Sequence, residues 1–221
     1  MGRIIIDIET SGFDFDLFDK STQEYLMKYA TSKEEETKVL ESLAFYPLTG
    51  EVVAIGMLNP DNDKGVVYFR SISECTSFEE DGIIFESGTE PEILGKFWSE
   101  VSQYDKIITF NGRAFDAPFL IIRSAVHRIK PTKNLLPGRY SEEHIDLLDR
   151  LSFYGSMKRR FNLDTWCKTF GIQSPKSEEI CGYMVTDMYK SGKVEEIARY
   201  CVKDLKATRD LFFIWEKYIQ N

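Results

Sequence analysis

Apolar residues cluster in blocks separated by turn residues, and the first block sets the pattern. Arg3-Ile4-Ile5-Ile6-Asp7-Ile8-Glu9-Thr10 reads as a strand, apolar enough for the centre of a sheet covered on both faces. Pro47-Leu48-Thr49-Gly50 is a turn into a second strand, Glu51 to Leu58. Asn59-Pro60-Asp61-Asn62-Asp63 turns the chain, as a hairpin, into a third at Val66 to Arg70. Ser71 to Ser87 reads as loop holding a short strand at Ile83 to Glu86. Thr89-Glu90-Pro91-Glu92 starts a helix, with proline in the first turn and acids at the positive end of the dipole. Its apolar stripe is Ile93, Leu94, Phe97, Trp98 and Val101, and it runs to about Gln103. Lys106 to Phe110 is a fourth strand, and a helix follows Asn111-Gly112 from Ala117 to Ile129. His144-Ile145-Asp146-Leu147-Leu148 supplies a fifth strand. Leu163 to Phe170 and Gly182 to Lys190 read as short helices, and Val194 to Ile219 as a long terminal one. Strands in series, then helix, strand and helix, indicate an α/β layered fold with the first strands antiparallel.

A polar segment separates the first two strands. From Phe13 to about Ser42 it carries a helical pattern starting at Ser21-Thr22-Gln23-Glu24. Tyr25, Leu26, Tyr29, Val39, Leu40 and Leu43 are its inward positions, and Lys33-Glu34-Glu35-Glu36 is a solvated face. We read residues 1–221 as one domain with a helical insertion at about 13–45, a wall or lid beside the first strand.

The net charge of −8 changes the picture of partners. A protein that coats duplex DNA non-specifically is basic overall, so nucleic-acid contact here has to be local, at a groove. Two runs are locally basic: Arg123, His127, Arg128, Lys130, Lys133 and Arg139, and then Lys158-Arg159-Arg160. Ordinary solvated charge is the competing reading of both. Cys75, Cys167, Cys181 and Cys201 form no Cys-x-x-Cys pair, and His127 and His144 are the two histidines, which argues against a zinc site and a disulfide framework. No apolar run is long enough to span a membrane, and Asp7 and Glu9 interrupt the N-terminal apolar run, so no signal peptide is expected. A cytoplasmic location follows as an expectation. Asp61, Asn62 and Asp63 lack the Gly and closing Glu of a calcium loop and read as turn chemistry.

The carboxylates carry the candidate chemistry. Strand side chains alternate, so Asp7 and Glu9 share a face. Side by side in a buried strand they repel each other and lose hydration; a divalent metal would offset that, and a solvated strand end is the alternative. Asp116 reads, taken alone, as an N-cap; it also sits where a strand end enters a helix, the usual ligand crevice of α/β folds. On the terminal helix, Val194, Ile197, Ala198, Cys201 and Leu205 form the core face, while Glu196, Arg199, Lys203, Lys206 and Asp210 face water. Tyr200 and Asp204 stack at i and i+4 on the flank between, where Asp204 is either a site carboxylate or a boundary group paired with a base.

At this point the chain resembles a known family: the DEDD-type 3′–5′ exonucleases of ribonuclease H-like fold, in the subgroup with tyrosine in the last motif. It is most similar to stand-alone bacterial proteins related to the exonuclease domain of family B DNA polymerases. The carrying residues are Asp7-Ile8-Glu9-Thr10, Phe110 to Pro118, and Tyr200-Cys201-Val202-Lys203-Asp204; Ile145 to Asp149, Gly182 to Val185 and Gly192 to Ile197 add to them. The resemblance implies a ribonuclease H-like fold, a mixed five-stranded sheet with helices on both faces. It implies Asp7, Glu9, Asp116 and Asp204 as ligands of two divalent ions, Mg²⁺ or Mn²⁺, with Tyr200 positioning the attacking water. It also implies contacts from Thr10, Asn111 and Phe115 to the 3′-terminal nucleotides; an aromatic such as Phe115 stacks on any base, or anchors the helix start in the core. The expected activity is release of nucleoside 5′-monophosphates from the 3′ end of single-stranded DNA. A 3′–5′ exoribonuclease and a non-catalytic nucleic-acid-binding module on the same fold are the alternatives, and a protein partner for the 13–42 segment is a third reading.

Overall fold

The structure, a computed structural model, describes residues 2–71, 76–174 and 184–220. Its frame is a seven-stranded sheet of order β4-β5-β3-β2-β1-β6-β7. The strands are β1 (Arg3–Gly12), β2 (Gly50–Leu58), β3 (Gly65–Arg70), β4 (Ser77–Glu80), β5 (Ile83–Gly88), β6 (Lys106–Thr109) and β7 (His144–Asp146). β1 lies near the centre, antiparallel to β2 and parallel to β6. The helices are α1 (Lys20–Met27), α2 (Lys33–Ser42), α3 (Glu90–Val101), α4 (Asp116–Val126), α5 (Leu147–Leu151), α6 (Leu163–Phe170), α7 (Val185–Lys190) and α8 (Val194–Tyr218).

The alternation of β1 builds both layers. Ile4, Ile6 and Ile8 pack in one core with Ile93, Leu94, Phe97 and Trp98 of α3 and Phe119 and Leu120 of α4. Ile5 faces the other core, with Ile197, Cys201 and Leu205 of α8. Asp7 and Glu9 follow Ile5 in parity, so this strand exchanges apolar for acidic side chains on the face that α8 crosses. The apolar stripe expected for α3 is buried in full, and its start carries the Thr89–Glu92 capping box.

Several expectations need correction. The sheet has seven strands, because the region read as loop plus short strand is a β4–β5 hairpin. Its two-residue turn is Asp81-Gly82, both at positive φ (49° and 78°), the geometry that matches strand twist. In β4 only Phe78 is partly covered, stacked on Phe85 at 4.8 Å, so the strand shows no apolar alternation. In the segment before β2, α1 and α2 bury no side chain; Tyr25 and Tyr29 are 76% and 81% exposed and Leu40 is exposed. Of the inward positions expected there, only Leu43 is buried, in the short 3-10 turn that follows α2. α1 starts earlier than expected, with Asp19 accepting from the Thr22 N–H. The fifth strand expected through Leu148 ends at Asp146, whose carboxylate caps α5.

Three members of the first basic run are committed to carboxylates, while Arg128 and Lys130 stay exposed. Arg123 is buried against Glu90, with Nη2–Oε2 at 2.7 Å, and His127 Nε2 lies 2.6 Å from the same oxygen. Arg139 pairs with Asp149 at 2.7 Å. The turn reading of 59–63 holds: Asn59 and Asn62 side chains accept from the Asp61 and Lys64 N–H groups, and Asp61 pairs with Arg3. Cys75, Cys181 and residues 182–183 of the expected helix lie outside the described residues. Among the described residues, no helix is long and apolar enough to cross a membrane.

Candidate active site

Asp7 stands directly opposite Gly56 in the β1–β2 ladder. That glycine is a requirement of packing: a Cβ there would lie 2.6 Å from Cys201 Sγ and 2.6 Å from Leu205 Cδ1. α8 therefore rests directly on the sheet beside Asp7, and the Cys201 sulfur reaches Asp7 Oδ2 at 3.7 Å. One step further, the register slips between Glu9 and Thr10, so that Glu9 faces Ala54 and Thr10 faces Val52. Such bulges re-aim side chains next to functional sites. Glu9 stays on the α8 side and is 7% exposed. Thr10 Oγ1 donates to the Ala44 carbonyl at 2.6 Å, which ties the 3-10 turn to β1.

Asp116 is the first residue of α4 and does not act as its cap; the cap position is Phe115, without a side-chain bond. The β1–β6 ladder ends at Ile5 opposite Ile108. Beyond that end, the buried Asp116 carboxylate accepts the Ile8 N–H at 3.1 Å. The turn before α4 is held by Asp146. Its carboxylate accepts from the N–H groups of Asn111 (3.0 Å), Arg113 (2.9 Å), Leu148 (3.0 Å) and Asp149 (3.4 Å). Asn111 takes a positive φ of 65°, and a Cβ on Gly112 would meet Thr109 Oγ1 at 2.4 Å, so the tight turn needs glycine there. Asn111 Oδ1 accepts from Arg160 Nη2 at 3.0 Å, bringing the second basic run to the rim. Phe115 is half-buried, packed on the α3/α4 core and tilted against Phe119 at 5.6 Å.

On α8, Tyr200 is buried, more deeply than its flank position suggested, and its hydroxyl hydrogen-bonds the Asp204 side chain. The charges of Asp7, Glu9, Asp116 and Asp204 act on one another. Burial, then Asp204, Asp116 and Glu9, raise the Asp7 carboxyl well above its ordinary range. Burial, then Asp204 and Asp116, do the same to Glu9. Asp116 is pushed up to about 7, by burial first and then by Asp146 and Asp204, against its backbone hydrogen bonds. Burial and the charges of Asp204, Glu9 and Asp7 keep the Tyr200 phenol neutral. Among the described residues no Lys, Arg or His forms an ion pair with Asp7, Glu9 or Asp116. Asp7, Glu9 and Cys201 place their ligand atoms within 4.8 Å of one another; Asp116 and Asp204 lie outside that tight group but within reach of its field. Largely buried, mutually repelling oxygens of this kind are a fitting donor set for hard divalent ions.

Asp146 and Gly56 were missed as contributors, and Arg160 was read only as part of a basic run. A carboxylate inside the apolar run His144 to Leu148 was the available signal for Asp146. Gly56 inside a strand pattern was the signal for a close approach.

The sheet order, with helices on its faces, defines an α/β domain of ribonuclease H-like fold. The family B DNA polymerase of the archaeon Pyrobaculum calidifontis shares the fold, with a TM-score of 0.63 at 15% identity over 97% of this chain and 24% of that one. A DNA polymerase of Pyrococcus glycovorans is 29% identical over 142 residues, 56% of this chain and 18% of that protein. The chain thus spans about a fifth to a quarter of these relatives. Residues 45–220 match the family described as a predicted 3′–5′ exonuclease related to the exonuclease domain of PolB, and the chain belongs to that family. The matched span begins after β1, so Asp7 and Glu9 join the site through the fold.

Proposed function

We propose that the chain is a metal-dependent 3′–5′ exonuclease that removes nucleoside 5′-monophosphates from single-stranded DNA. The observation that carries this reading is the convergence of Asp7 and Glu9 of β1 with Asp116 of α4 and Asp204 of α8 on one largely buried face, where among the described residues none of the first three has a basic partner. Asp7, Glu9, Asp116 and Asp204 would hold two ions of the Mg²⁺ or Mn²⁺ type. When bound, such ions activate a water and stabilise the leaving 3′ oxygen.

The chain's own residues do the rest. Tyr200, kept neutral and fixed by Asp204, presents a hydroxyl that orients the attacking water. Asn111, held at positive φ and anchored through Asp146, offers its side-chain amide to the terminal nucleotide. Phe115 offers a ring edge or face for stacking, and the exposed Lys158-Arg159-Arg160 run guides the phosphate backbone past Asn111. Thr10 acts through the backbone, since its hydroxyl proton is donated to Ala44.

The test is product chemistry. Matched single-stranded DNA and RNA are incubated with the protein and Mn²⁺, and the released nucleotides are separated by liquid chromatography. Deoxynucleoside 5′-monophosphates formed faster than ribonucleotides support the reading. Faster RNA products would move the substrate to RNA, and binding without products would reduce the chain to a binding module.

A further inference from the structure

Phe153 and Tyr154 both take positive φ, 50° and 55°, and Gly155 follows at 98°. Bulky aromatic residues seldom adopt that conformation, and it persists only where the surroundings hold it. Tyr154 is held: its ring meets Tyr140 edge-on at 4.6 Å, with the Arg150 guanidinium 5.4 Å and the Arg139 guanidinium 5.8 Å from its centroid. Arg150 is fixed in turn by Glu142 at 2.8 Å. Phe153 is left outside, 56% exposed and in neither core. A strained backbone thus presents an apolar ring to water.

The ring stands beside the site. Asp146 braces the Asn111 turn and caps α5, the helix that leads through Ser152 into Phe153. At the far end of the loop, Arg160 donates to Asn111 Oδ1 at 3.0 Å. Both ends of the 153–160 loop are therefore fastened to the Asn111 turn. From Phe153 to Asn162 the chain holds three bases, Lys158, Arg159 and Arg160, all exposed, and no acid. Across the sheet, on the β1–β2 side, the charge is opposite: residues 14–41, tied to β1 through Thr10 and Ala44, hold eight acids against four bases. A phosphate backbone leaving the carboxylates is repelled on that side and attracted on the β7 side.

We propose that Phe153, with Lys158 and Arg159, forms a second contact for the nucleic-acid strand, outside the carboxylate site. The ring stacks on an unpaired base upstream of the 3′ end, and the two cations hold its flanking phosphates. Stacking tolerates any base but needs that base unpaired, so the contact favours single strands over duplex. The inference rests on the nucleic-acid reading of the site proposed above, and not on hydrolysis there.

The experiment compares a trimer and a dodecamer of oligothymidylate on the full chain, wild type beside Phe153→Leu and Phe153→Tyr. KM and kcat are measured with Mn²⁺, and binding of the labelled dodecamer is followed by fluorescence anisotropy in EDTA. Phe153→Leu should raise KM for the dodecamer about tenfold, the worth of one stacked base, and weaken its metal-free binding by the same factor. Neither kcat nor the KM of the trimer should change, and Phe153→Tyr should behave as wild type. Phe153→Gly suits the positive φ and serves if the leucine variant fails to fold. Lys158→Gln should reduce the salt dependence of dodecamer binding by about one unit of slope. Unchanged dodecamer affinity in Phe153→Leu, or equal losses for trimer and dodecamer, overturns the proposal. Metal-free binding that depends on Phe153, without products under Mn²⁺, refutes the proposed exonuclease and leaves this contact standing. Products formed with no dependence on Phe153 do the reverse, and a dodecamer that neither binds nor is cut overturns both.

Discussion

Gly56 and Cys201 are in contact: a single added Cβ on the glycine would come within 2.6 Å of the sulfur. Because Gly56 is also the ladder partner of Asp7, this contact sets how far α8, with Tyr200 and Asp204, stands from the β1 carboxylates. Gly56→Ala should cost about 1–3 kcal/mol of stability by overpacking. Displacing α8 by about 1 Å should cut turnover on the order of 100-fold. Denaturant unfolding and single-turnover kinetics on the variant check both; wild-type turnover would show that α8 has slack.

Asp146 holds the Asn111 turn and caps α5 with one carboxylate. Asp146→Ala leaves four N–H groups without that acceptor, at about 1–3 kcal/mol for each one that stays buried and unpaired. Asp146→Asn retains acceptor oxygen and should lose less. The loss should appear in KM for the oligonucleotide as well as in stability, since Asn111 is released at the rim.

The Glu90–Arg123 pair sets the acid limb of stability. Burial raises the Glu90 carboxyl most, but the Arg123 hydrogen bond, the Val52 N–H and His127 outweigh it and leave the group below its ordinary value of 4.5. A depressed folded value means that this contribution is present above pH 4.5 and is lost as pH falls through the folded value. Arg123→Met strands a buried charge and should cost about 3–5 kcal/mol at pH 7. Urea melts of wild type and variant should converge as the pH drops below that of the carboxyl.

Metal binding should stabilise the fold, most at alkaline pH. Asp116 is raised from 3.8 to about 7, so its contribution is fully present below 3.8 and is lost as pH rises through about 7. The metal-free protein should therefore melt lower at pH 8 than the pH 5 value, as far as this group sets it, and Asp116→Asn should flatten that difference. Mn²⁺ at about 100 times its Kd adds about 2.7 kcal/mol, several degrees of melting temperature, at pH 8, and less at pH 5, where the carboxyls keep their protons. Equal shifts at both pH values would contradict the assignment.

The strands and helices that pattern reveals were those with one face in the core. β1, β2, α3 and α8 were legible because their apolar periods are long. The β4–β5 hairpin hid behind exposed, acidic β4 residues, although Asp81-Gly82 is a strong hairpin signal. Tyr25 and Tyr29 misled because aromatic residues at helical spacing look inward, yet both rings stay exposed. Arg123 was read as part of a charged surface because its partner, Glu90, lies on another helix, 33 positions away. The site followed the same rule. Asp7, Glu9, Asp116, Tyr200 and Asp204 could be named from local motifs, but the Gly56 contact and the Asp146 brace are set by register between strands far apart in sequence.

The most direct test of the central claim is digestion of a 5′-labelled single-stranded DNA oligonucleotide with Mg²⁺ or Mn²⁺, resolved on a sequencing gel beside Asp7→Ala and an EDTA control. The account predicts a ladder shortening from the 3′ end, abolished by the substitution and by the chelator. A full-length label under every metal condition, with the protein folded and bound to the strand, would contradict it.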